Sequence, residues 1–255
     1  LCKDAEIDFW VWYEAINLPN RISEVLPELF NTHGEPDMSN DLIYGIIGTQ
    51  VDELLRIIPN ISGLSAWIME CATTVVSSLK YQTISFGEIA QRLVGTIYKK
   101  CQEHNLELAV CLHTAGGHYP FREGLRRAVL GDKNIILETD DVIGDFSLQH
   151  PFHTDIAYAP IGQPKMIVFD LEGEYWGRDF LPTSALDQYR IHIDKAREVG
   201  VTHVTGRIDT NHDKHSPHFN ALPSRREFYL TGSGAELRED KRLPNNIETS
   251  CFDTL

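Results

Sequence analysis

Six short apolar runs alternate with amphipathic stretches of helical period along this chain, and that alternation narrows the fold more than any other feature. IDFWVWYE (7–14) reads as a strand, and LIYGIIGTQVDELLRII (42–58) has apolar residues at helical spacing until Pro59 stops it. ISGLSAWIME (61–70) is a buried strand, ISFGEIAQRLVGTIYKKCQEH (84–104) a long amphipathic helix, and LELAVCLH (106–113) another strand. A shorter helix is expected near 121–130, then strands at NIILETD (134–140) and KMIVFDLE (165–172). A helix over 184–200, closed by Gly200, precedes a last strand, VTHVTGRI (201–208).

Strands that alternate with helices pair in parallel through right-handed crossovers, which leaves a closed barrel or an open doubly wound sheet. No GxGxxG follows any strand, and polar residues gather where six different strands end, at Glu14, Glu70, His113, Asp140, Glu174 and Arg207. That ring favours a TIM (β/α)8-type barrel, incomplete because six strand-helix units are visible where eight are needed. A partial barrel over 1–230 and a polar tail over 231–255 are the expected domains. The chain starts with Leu and almost at once enters an apolar run, as a trimmed chain would. With two strands absent, the sheet leaves edge backbone open, and a preceding segment or a second copy in a homo-oligomer is expected to cover it.

Composition excludes some functions. Of 255 residues, 23 are basic and 37 acidic, a formal charge of −14 that opposes nucleic-acid and anionic-membrane surfaces. The sequence offers no apolar run of about 18 residues and no basic-then-apolar leader, so a soluble, cytoplasmic protein is expected. Five cysteines, scattered and without a CxxC pair, read as free thiols.

In VFDLEGEYWGRDF (168–180), Asp170, Glu172 and Glu174 would share one strand face and Ile167, Phe169 and Leu171 the other. Like charges about 6 to 7 Å apart along a strand repel, so a site that uses them explains the column better than stability does. Glu70 closes its strand, and Asp145 in VIGDFS and Glu174 follow two others. In a parallel barrel all three would enter the cleft at the carboxyl end, and paired carboxyl groups across a cleft are the apparatus of glycosidic cleavage. A rim salt bridge for Glu70 and a solvated turn for Asp145 are the plainer alternatives.

Gly173 lets the backbone bend toward a ligand, while Asp170 and Glu172 lie deeper, as supporting hydrogen-bond partners. Tyr175 and Trp176, or Trp67 or Trp12, could stack on the apolar face of a sugar, or complete the core. His113 could donate to a substrate hydroxyl or sit as a satisfied core histidine. His212, His215 and His218 match no closed zinc pattern and read as a polar loop, so neither a metal nor a cofactor is called for.

The ordered set ISGLSAWIME and VIGDFSLQHPFHTDIAYAPIGQPKMIVFDLEGEYWG resembles the catalytic barrel of the family 67 glycoside hydrolases, the α-glucuronidases that remove uronic acid side groups from xylan. A strand ending in Glu, a GPxDF-like turn and a QEYxGQ-like strand end carry the resemblance, over about residues 7–210, the third to eighth units of the barrel. It implies Glu70 as general acid, Asp145 and Glu174 as the base function, and inversion with water between acid and base. Where that family carries lysines suited to a uronate, this chain has Ala66 and Asp140. Arg207 is the candidate replacement cation, with pairing to Asp209 its alternative.

Two other classes stay open. A divalent-metal lyase or isomerase would use Asp140, Glu172 and Glu174 as oxygen ligands, and a barrel that binds carbohydrate without turnover would need only the cleft.

Overall fold

Short, largely buried runs become strands of five or six residues here, and the 3.6-period stretches between them become helices. The computed structural model describes residues 8–16, 18, 21–68, 81–112, 119–143, 146, 150–170 and 186–207. The strands are β1 (Trp10–Glu14), β2 (Gly63–Trp67), β3 (Glu107–Cys111), β4 (Ile136–Asp140), β5 (Lys165–Asp170) and β6 (His203–Arg207). The helices are α1 (Ile22–Val25), α2 (Asp41–Ile57), α3 (Phe86–Glu103), α4 (Tyr119–Val129), α5 (Thr154–Ala157) and α6 (Leu186–Glu198), with a 3-10 turn at Pro27–Leu29. Sheet order follows chain order, and β1 with β2, β2 with β3, β3 with β4 and β5 with β6 pair in parallel. This is an α/β fold with a parallel sheet.

The chain divides into two compact units, residues 1–138 with 159–164, and residues 139–158 with 165–255. The division passes through β4, whose first three residues belong to the first unit and last two to the second.

In the first unit α2 buries Ile43, Ile47, Val51 and Leu55, and α3 buries Ile89, Leu93 and Ile97, the one-sided stripes read from sequence. Asn40 caps α2 by accepting the Leu42 N–H at 3.0 Å, and Ser85 caps α3 by accepting that of Glu88 at 3.2 Å. The far end of α3 closes on Asn105, whose φ of 56° lets Leu106 N–H reach Cys101 O at 2.8 Å and Asn105 N–H reach Gln102 O at 3.2 Å. The helix α3 packs against α2, α4 and β3. Its approach to α4 needs a glycine, because a Cβ on Gly124 would stand 2.9 Å from Phe86 O. Gln163 holds the other end of α4, its Nε2 donating to Val129 O at 2.8 Å and its Oε1 accepting from Gly131 N–H at 2.9 Å.

In the second unit Phe169 of β5 meets Tyr189 of α6 edge to face at 5.6 Å, which fixes the side of β5 that the helix covers. Lys165, buried at the start of β5, donates from Nζ to Val199 O at 2.6 Å, just beyond the carboxyl end of α6, where a cation suits the helix dipole. Gly200, expected to close this helix, has φ 72°, and Val201 N–H returns to Ala196 O at 2.9 Å.

Candidate functional site

The sequence-expected residues fall unevenly. Glu14, Asp140 and Arg207 are the last residues of β1, β4 and β6. Backbone register sets Arg207 opposite Asp170 on the paired strands β5 and β6. Glu70, His113, Asp145, Glu172, Glu174, Tyr175, Trp176 and Asp209 lie outside the described residues, as do His212, His215, His218 and the tail over 231–255. Of the three oxygen ligands of the metal reading, only Asp140 is described, and no group of three His, Cys, Asp or Glu among the described residues could hold a metal ion.

In the first unit, alternation gives Trp10, Trp12 and Glu14 one face of β1, and parallel register sets them beside Gly63, Ser65 and Trp67 of β2. Small residues stand opposite large ones: a Cβ on Gly63 would lie 2.5 Å from the Trp10 ring. Trp12 rests on Trp67, with ring centroids 4.1 Å apart and planes tilted by 36°. One row on, Trp67, Cys111 and Glu138 are register neighbours across β2, β3 and β4. Glu138, 2% exposed, accepts from Ser65 Oγ at 2.6 Å and from Trp67 Nε1 at 3.1 Å, while Nε1 also reaches Ser65 Oγ at 3.0 Å. The buried carboxyl thus holds the indole by its only donor and fixes the plane on which Trp12 lies.

In the second unit Asp140, the last residue of β4, and Asp141, in the bend that follows, are both wholly buried, and because Asp141 N–H continues the alternating ladder that Leu137 N–H begins at Pro164 O, the two side chains project to opposite faces. Asp141 N–H donates to Val168 O at 3.1 Å, and Asp141 Oδ2 lies 2.7 Å from His192 Nδ1 on α6. Asp141 therefore belongs to the helix-covered side and Asp140 to the side away from α6. Burial raises the Asp141 carboxyl above the usual carboxylate range, a rise that His192 opposes through its hydrogen bond. His153 donates its backbone N–H to Asp141 O at 3.1 Å, and its Nδ1 accepts from Asp155 N–H at 3.2 Å, capping α5. Phe152 meets the His192 ring edge to face at 6.1 Å.

Sequence reasoning singled out neither Glu138 with Ser65 nor Asp141 with His192. Glu138 carried a signal, since ILETD sets Glu138 and Asp140 on one face by the alternation that flagged Asp170, Glu172 and Glu174. Nothing in sequence marks His192 among the polar positions of α6.

In the first unit, one face of the sheet thus carries Glu14, Glu138 and the indoles of Trp12 and Trp67 together. No protein-family model matches the sequence, and no curated protein matches it.

Proposed function

We propose that this chain is a TIM-type barrel glycoside hydrolase, α-glucuronidase-like, that cleaves carbohydrate by inversion. Glu70 protonates the departing glycosidic oxygen, and Asp145 with Glu174 removes a proton from the attacking water. Asp140, Glu172 and His113 hydrogen-bond sugar hydroxyls, Tyr175 and Trp176 stack on the ring, and Arg207 takes the uronate carboxylate that Ala66 and Asp140 do not.

The observation that carries this reading is Asp140, a wholly buried acid at the carboxyl end of a parallel strand, on the side away from the covering helix. Strand packing does not call for a carboxyl at that position, and the carboxyl end of parallel strands is where α/β sheets place their chemistry. The resemblance in IME, VIGDF and LEGEYWG supports the choice of bond.

The test compares the chain with its Glu70→Gln variant on glucuronate-substituted xylo-oligosaccharides and on activated aryl glucuronides. A loss of about 100-fold or more on the former, with much smaller loss on the latter, is the expected signature of a missing general acid. Equal effects on both substrates, or no turnover of either by the unaltered chain, would overturn the assignment.

A further inference from the structure

Trp12 is 47% exposed, although it lies on a sheet face where its neighbour Trp67 is 4% exposed. Trp67 is also anchored, its ring N–H divided between Glu138 and Ser65. Removing an aromatic face of this size from water is favourable, and Trp12 offers such a face on a supported base. Beside it stands Glu14, two residues on along the same face, exposed and in register with Trp67.

From this juxtaposition we propose a carbohydrate subsite on the first unit, in which the apolar C–H face of a neutral pyranose ring lies on Trp12 and Glu14 accepts hydrogen bonds from its hydroxyls. The indole supplies a flat, electron-rich surface, and a carboxylate at its edge matches the ring of hydroxyls that borders the C–H face of a sugar. Local charge selects the neutral sugar: the Glu14 carboxylate opposes a uronate at this position. Trp12 is a binding residue here, and Glu138 with Ser65 are positioning residues that set the slope of the platform. The inference rests on the carbohydrate reading above and adds where a neutral, unsubstituted sugar unit docks.

Xylotetraose, cellotetraose and glucuronic acid are titrated into the full chain, with binding followed by calorimetry and by indole fluorescence. Size-exclusion chromatography runs alongside. At least one neutral tetraose should bind and shift the emission, and Trp12→Ala should weaken it about tenfold, the size of one lost stacking contact. Trp12→Phe should restore most of the affinity, and Glu14→Gln should weaken the neutral sugar while improving glucuronic acid. Unchanged tetraose affinity in Trp12→Ala, or no tetraose binding by the unaltered chain, would overturn the subsite. So would a change confined to oligomeric state, which would assign the exposed indole to a second copy. The Glu70→Gln comparison fails separately: a chain that binds tetraose through Trp12 yet turns over nothing keeps the subsite and loses the hydrolase.

Discussion

His192 Nδ1 lies 2.7 Å from Asp141 Oδ2, tying α6 to the end of β4 through two side chains that are almost wholly buried. Asp141 Oδ1 has no hydrogen-bond partner among the described residues, so the carboxyl depends on this one side-chain contact and the backbone around it. Taking the histidine away strands a buried acid. His192→Ala should therefore cost about 1 to 3 kcal/mol, measured by urea unfolding near neutral pH. A loss below about 1 kcal/mol would mean that water reaches the carboxyl when the ring is gone.

The same pair makes stability depend on pH with a definite sign. The folded Asp141 carboxyl titrates above its unfolded value, so its contribution is complete below the ordinary carboxylate pKa of about 4 and is lost as pH rises through the higher folded value. Asp141→Asn does not titrate. Its stability relative to the unaltered protein should therefore improve as pH climbs from about 4 toward 7. Urea midpoints for both proteins at four or five pH values measure this, and a flat difference would refute it.

Glu138→Leu should destabilise the first unit by about 1 to 3 kcal/mol, because Ser65 Oγ–H and Trp67 Nε1–H lose a buried acceptor together. Glu138→Gln keeps one acceptor oxygen and should cost less than half as much. Thermal melts read the stability, and near-ultraviolet dichroism reads whether Trp67 and Trp12 keep their mutual tilt.

Gly124→Ala sets two effects against each other. Helix propensity favours alanine by about 1 kcal/mol, whereas the added Cβ would lie 2.9 Å from Phe86 O, a backbone atom that cannot swing aside. Overpacking of this kind costs about 1 to 3 kcal/mol, so net destabilisation is expected. A rise in melting temperature would show that α3 and α4 can separate without loss.

Burial pushes the Cys101 thiol up to about 12, leaving almost no thiolate at neutral pH. Peptide mapping after labelling with a thiol reagent should show Cys101 unmodified in the native protein and fully modified in guanidinium. Native labelling as fast as that of a free thiol would contradict the buried position.

Much of the fold was legible because each element announces itself locally. The stripe of α2 stops at Pro59, Ser85 and Glu88 mark the start of α3, and Gly200 marks the end of α6. These signals lie within a few residues of what they specify. Asn105 was harder to read, since asparagine adopts positive φ less often than glycine and its role appears only in the two returning hydrogen bonds. The place of Asp140 at the end of β4 was legible from the apolar run that precedes it. Ser65 with Glu138 and Asp141 with His192 are 73 and 51 residues apart, and contacts of that range come from parallel register and helix docking, which no local pattern encodes.

The opposed directions of Asp140 and Asp141 also limit how the gene for such a chain can drift. One residue inserted within β4 ahead of them would exchange their places, carrying the histidine's acid away from α6 and the other acid in against it. Point changes can tune either face independently, whereas frame-preserving insertions in this strand would disable both at once. Length variation among any descendants should therefore collect in the connecting loops and spare β4.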